Sequence, residues 1–161
     1  MRGVDLKTLF VYCSDDDAVN VLCNESALKN RDTCAFELAC RKGKNAFSRY
    51  LGANKNRSCV YSDAYAVDVA EYDKLIFACG EFMGEIPAEL ISFISKCDLR
   101  YKDIDCIVFG DGRNARRATD AVKVCVSLSG GTVRNAVNIS VRELKRESED
   151  VLFSVRHRLA V

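Results

Sequence analysis

Three short stretches of this chain hold the residue types from which a binding site could be built. Ser14-Asp15-Asp16-Asp17 sets a hydroxyl beside three carboxylates, Cys79-Gly80-Glu81-Phe82-Met83-Gly84 sets an aromatic between glycines, and Gly110-Asp111-Gly112-Arg113 precedes Arg116 and Arg117. The second and third stretches each follow an apolar run and lead into a helical pattern, and the first follows another apolar run. All three would be loops at the C-terminal ends of buried strands, the edge where ligands of open α/β sheets bind. The chemistry on offer is recognition. Phe82 could stack on a flat ring, and the backbone N–H groups at a helix start favour an anion. Two like charges about 4 Å apart repel by roughly 4 kcal/mol at an effective dielectric of 20, so three inward-facing aspartates would expel a phosphate. Acidic residues at a helix start are also ordinary complements to its dipole. His157 is the single histidine and belongs to a C-terminal helical pattern far from these loops, so no nucleophile and base pair up. Cys13 and Cys79 end strands at the same edge and, without a base nearby, read as buried structural thiols.

The elements that position these loops follow from periodicity. Leu9-Phe10-Val11-Tyr12-Cys13 reads as a fully buried parallel strand. Residues 15–57 are ambiguous. Phe36, Ala39, Cys40, Phe47, Tyr50 and Leu51 recur near a 3.6-residue period after Asp32 or Thr33, either of which could cap a helix. A weaker helical pattern before it uses Ala18, Val19, Val21, Leu22, Cys23 and Leu28. Ser58–Ser62 reads as the second strand and Lys74–Cys79 as the third. Pro87 suits the first turn of a helix with the stripe Leu90, Phe93, Ile94 and Cys97. Ile104–Phe109 reads as the fourth strand, followed by a helix from about Asn114 to Ser129 that Gly130-Gly131 ends. Val133–Val141 is the fifth strand, and Ser148 caps a last helix. Strands alternating with helices predict a three-layer α/β/α sandwich around a five-stranded parallel sheet in the order 2-1-3-4-5.

The chain has 161 residues, the size of one domain with one core. The expected organisation is a single domain over residues 1–161 with a long first crossover, about 15–57. With 24 Lys+Arg against 23 Asp+Glu the net charge is +1, which gives no footprint for a nucleic-acid partner. The nine cysteines are odd in number with no C-x-x-C and read as core residues of a reduced, cytoplasmic protein, not as a disulfide framework or metal site. Charges near the N-terminus argue against a signal peptide. No apolar run approaches the roughly 20 residues that span a bilayer, so no membrane association is expected.

From Tyr72 to the C-terminus, spacing and loops resemble the flavodoxin-like family, and the strand, loop and helix over Tyr72–Leu90 resemble its FMN ring-flanking segment. The resemblance implies an FMN cofactor whose ring meets Cys79, Gly80, Phe82, Met83 and Gly84 from the second loop and Gly110, Asp111, Gly112 and Arg113 from the third. It implies Phe82 as a stacking aromatic. The third loop lacks the family's second aromatic, a place Arg113 or Arg116 could take over the ring or against an anion. The first loop departs further. The family's Ser/Thr-x-Thr-Gly-x-Thr phosphate loop is matched only by Ser14. If residues 15–30 are an insertion, Thr33 becomes the loop's last threonine, with Lys29, Asn30 and Arg31 beside it; a capped helix start with solvated charges is the preferred reading.

A response-regulator receiver shares the alternation but needs an aspartate ending its third strand and a lysine after its fifth, and Ala78-Cys79 and Val137–Val141 supply neither. The functional expectation is an FMN-binding electron-transfer protein, either an electron carrier or a small flavin reductase, with a redox protein as partner. The alternative is a flavodoxin-fold interaction module that has lost FMN, with homodimerisation open to it. Neither reading assigns a catalytic or metal-ligating residue.

Overall fold

The computed structural model of the protein describes residues 6–14, 16–28, 31–38 and 67–142. Its elements are β1 (Thr8–Cys13), α1 (Asp17–Leu28), β2 (Thr33–Glu37), β3 (Lys74–Gly80), α2 (Ala88–Ser95), β4 (Asp103–Phe109), α3 (Gly112–Leu128) and β5 (Val133–Ile139), with a 3-10 turn at Val69–Glu71. The five strands form one sheet in the order β2-β1-β3-β4-β5, all pairs parallel. This is the sheet that the alternating pattern predicts. β1 is buried along its whole length because it sits inside the sheet with both faces covered, which is why it reads as a continuous apolar run. Its register with β3 runs from Thr8 opposite Lys74 to Cys13 opposite Cys79, so the two strands end level at one edge.

Alternate residues sort into two cores. Val11, Phe77, Cys79, Cys106 and Val108 pack under α2 and α3, meeting Leu90, Phe93 and Ile94 from one helix and Ala115, Ala118, Val122 and Val126 from the other. On the opposite face Phe10, Tyr12, Ile76, Ala78 and Ile107 meet Val19, Leu22, Cys23 and Ala27 of α1. The helices flank the sheet as a three-layer α/β/α sandwich. Among the described residues no helix is long and apolar enough to cross a membrane.

The second strand corrects the sequence reading. Thr33–Glu37 is β2, where the 3.6-residue pattern pointed to a helix, and its register opposite Thr8–Tyr12 is extended by Thr8 N–H to Asp32 O and Leu38 N–H to Tyr12 O, both 2.9 Å. Short apolar runs do not separate strand from helix by period alone, and here long-range pairing with the free edge of β1 wins. Phe36 then reaches the α2 layer, its ring centroid 5.9 Å from that of Phe93. The first crossover is therefore α1 alone, not residues 15–57, and residues 17–28 are the first helix of the fold, not an insertion. The long interval falls between β2 and β3. The remainder of that helical pattern, Ala39 to Leu51, the strand expected at Ser58–Ser62 and the helix expected from Ser148 lie outside the described residues.

Candidate functional site

β1, β3 and β4 end at the same edge of the sheet, and the chain leaves β1 and β3 for helices on opposite faces. That reversal opens a crevice between the two strand ends, the place where doubly wound sheets bind ligands. Three loops surround it: Ser14–Asp16 after β1, Glu81–Pro87 after β3, and Gly110-Asp111 after β4.

The loop after β3 is the most ordered by its own bonds. Phe82 N–H donates to Glu85 O at 3.0 Å and Glu85 N–H to Phe82 O at 2.9 Å, closing a two-residue turn whose central residues both have positive φ, +52° at Met83 and +83° at Gly84. Those angles match a type I′ turn. The Glu81 carboxylate accepts the Gly84 N–H at 2.9 Å, so the turn is gripped from below. Buried Ile86 anchors its returning limb in the core. Phe82 is left half-buried and Met83 is 64% exposed at the tip.

Glu81 also ties this loop to the next one. Its N–H donates to Phe109 O at 3.1 Å, and its side chain lies so close over Gly110 that a Cβ there would clash with it. Arg117 of α3 completes the tie: its stem packs against Gly84, where a Cβ would stand 3.2 Å from the Arg117 Cβ, and its Nη2 lies 3.7 Å from Glu85 Oε1. Both charges are mostly exposed, so the pair positions more than it stabilises. Sequence reasoning assigned neither Glu81 nor Arg117 a position in this site. The available signal for Glu81 was a carboxylate three residues before a glycine, the spacing of a local side-chain to backbone bond.

The third loop leads directly into α3. Asp111 is the N-cap, extended, without a side-chain capping bond, and Gly112 follows with φ +58° and nothing within 4 Å of where its Cβ would be. Arg113 and Arg116 are exposed in the first turns of α3, and Arg117, not either of these, contacts the loop after β3.

At the first loop Ser14 is buried. Its Oγ accepts the Asp16 N–H at 3.1 Å and its carbonyl accepts the Asn20 side-chain amide at 2.8 Å. A Cβ on Gly80 would stand 3.0 Å from Ser14 Oγ, so the close approach of these two residues joins the ends of β1 and β3. Ser14, Gly80, Phe82, Gly84, Gly110 and Gly112 thus share one edge of the sheet. Thr33 does not. It begins β2 opposite Thr8, at the other edge, because the chain must cross the whole sheet through α1 before β2 can run parallel to β1. Its reading as the last threonine of a phosphate loop is corrected accordingly.

Cys79 is buried on the core side of β3. Burial pushes its thiol well above the usual range, with Cys106, Cys23 and Glu81 adding to the shift. The thiol is therefore protonated and shielded at neutral pH, a core residue and no nucleophile. Iodoacetamide at pH 8 is expected to leave Cys79 unmodified in the native protein and to label it after unfolding, as read by peptide mass mapping; native labelling would contradict this burial. Six described cysteines are free, but Cys13 is disulfide-bonded, which corrects the reading of all nine as reduced core thiols.

No family model matches this chain, and no curated protein matches it by sequence. Solved structures do match. A flavoprotein from Lactobacillus acidophilus, in complex with FMN, aligns with a TM-score of 0.67 at 13% identity, over 89% of this chain and 99% of its own. General stress protein 14 from Treponema denticola, also in complex with FMN, aligns at 0.61 and 15% identity over 96% of each chain. A flavodoxin from Fusobacterium nucleatum bound to flavin mononucleotide aligns at 0.52 and 14% identity, over 95% of this chain and 99% of its own. Identities this low speak for architecture, and together with the strand order and the level ends of β1, β3 and β4 they establish that this chain has the flavodoxin-like fold.

Proposed function

We propose that this protein binds a flavin by its isoalloxazine ring at the C-terminal edge of the sheet and serves electron transfer with a redox protein partner. The observation that carries the reading is the doubly hydrogen-bonded turn Phe82–Glu85 on the same edge of the sheet as Gly112, which has open space where a side chain would be. A flat ring needs a wall that does not collapse and a second wall without side chains in the way. The doubly hydrogen-bonded turn supplies the first, and the empty space at Gly112 supplies the second. Phe82 would offer its face to the ring, and the Asp111 backbone its polar rim, the Gly110 N–H being spent on Ile139 O at 2.9 Å. A bound flavin would supply the capacity to accept and release electrons. This chain's own residues hold, orient and shield it. That proteins in complex with FMN share the fold supports a flavin as the ligand. Six free thiols among the described residues suit a reducing compartment such as the cytoplasm, the Cys13 disulfide being the exception among the cysteines described.

The test is direct. Purified protein should carry the visible flavin absorption band, or quench the fluorescence of added flavin saturably. Phe82→Ala is expected to weaken that binding by about 0.5–1.5 kcal/mol, the worth of one aromatic contact, while leaving the far-ultraviolet circular dichroism unchanged. Undiminished quenching by Phe82→Ala would place the ring elsewhere.

A second reading, a flavodoxin-fold interaction module without a flavin, is favoured by one feature, the three aspartates where a phosphate loop would be. A colourless protein that leaves millimolar flavin unquenched would select it.

A further inference from the structure

The two halves of an FMN molecule make different demands, and this edge of the sheet meets only one of them. The ring half is the part that the proposed function assigns to the loops after β3 and β4. The phosphate half needs a loop with several free backbone N–H groups and hydroxyls at the start of a helix, and little negative charge. Only three residues, 14–16, separate β1 from α1. The polar groups of Ser14 are already engaged. The Ser14 hydroxyl takes up the Asp16 N–H, and the Ser14 carbonyl is held by the Asn20 amide. The residues at this point are Asp15, Asp16 and Asp17, with Asp17 as the first residue of α1. Acidic side chains there complement the helix dipole. The helix start that would attract an anion therefore has its own anions. The rescue through Thr33 is gone, since Thr33 begins β2 at the opposite edge.

We propose that this site selects flavins without a terminal phosphate, with riboflavin preferred over FMN. The inference rests on the flavin reading given above and adds the ligand class. The ribityl chain is neutral and hydroxylated, so it can lie along the first loop without charge conflict. A phosphate monoester, with a charge of about −1.5 to −2 at pH 7, would approach a helix start at which the sequence sets three aspartates in a row.

The test uses the full chain and two probes, riboflavin and FMN, each titrated by fluorescence quenching at neutral pH and low ionic strength. Riboflavin is expected to bind at least about tenfold more tightly, a difference of roughly 1.4 kcal/mol. Because the discrimination is electrostatic, raising the salt to about 1 M, where the screening length falls to about 3 Å, should bring the two affinities together. The triple variant D15N/D16N/D17N should do the same at low salt; if it does not fold, Asp17→Asn and the salt series on the unaltered protein still decide the matter. FMN binding as tightly as riboflavin, or a preference for riboflavin that salt leaves unchanged, would overturn the inference and leave the flavin reading standing. Quenching by neither probe would overturn the flavin reading itself.

Discussion

Replacing Lys74 by alanine is expected to destabilise the protein by about 3–5 kcal/mol, the usual cost of removing one partner from a buried ion pair. Lys74 Nζ lies 2.8 Å from Asp105 Oδ2, and the two side chains are 15% and 2% exposed. The other carboxylate oxygen accepts the Asn135 amide at 2.9 Å. Lys74 begins β3, opposite Asp103, and Asp105 lies two residues further along β4, opposite Ile76, so the pair bridges neighbouring strands diagonally on one face. Without the ammonium group the carboxylate would remain buried with a single neutral donor. The Arg100–Asp98 pair is shorter, at 2.6 Å, but its side chains are 68% and 61% exposed, so Arg100→Ala should leave stability unchanged within error. Burial, not distance, decides between them. Urea unfolding at neutral pH measures both. The double variant Lys74→Met with Asp105→Leu should recover most of the loss, because no charge is then left uncompensated. If Lys74→Ala costs no more than a surface substitution, the pair is not buried in solution and the argument fails.

Gly84→Val is the second substitution with a large expected effect, a loss of about 2 kcal/mol or more in stability together with loss of flavin quenching beyond that of Phe82→Ala. The left-handed region costs a residue with a side chain about 1–2 kcal/mol, and β-branching makes φ +83° a true outlier. The new Cβ would also press on the Arg117 stem at 3.2–3.3 Å. Gly112→Ala provides the control. Its φ is also positive, at +58°, but no atom lies within 4 Å of the new Cβ, so only the backbone preference is lost, about 1 kcal/mol. The ordering of the two variants, with the greater loss at Gly84, is the result to look for in urea midpoints. Amide exchange at Glu85 gives a local check, since its N–H closes the turn and should exchange faster in Gly84→Val alone. Equal losses at both positions would mean that Arg117 yields freely and the turn is not clamped to α3.

The parts of this protein legible in the amino-acid sequence are those whose environment is uniform over a whole element. β1, β3 and β4 are apolar runs because both faces of each are covered, and α2 and α3 show their stripes because one face of each meets the sheet. Those patterns, with the loops that follow each strand, were enough for the strand order and for the edge where Phe82, Gly84, Gly110 and Gly112 meet. β2 could not be read in the same way. It is five residues long and half-exposed, so it has no local signature, and only pairing with β1 makes Thr33–Glu37 a strand and moves Thr33 to the far edge. Glu81 and Arg117 escaped for a related reason. Their roles come from contacts across loops that are distant in the chain, with Gly110 in one case and Gly84 in the other. The spacing of residues thus determined which edge carries the candidate site, through the periodic burial of strands and helices. Which side chains brace that site was decided by tertiary packing, because a polar residue acquires such a role only when folding brings its partner within reach.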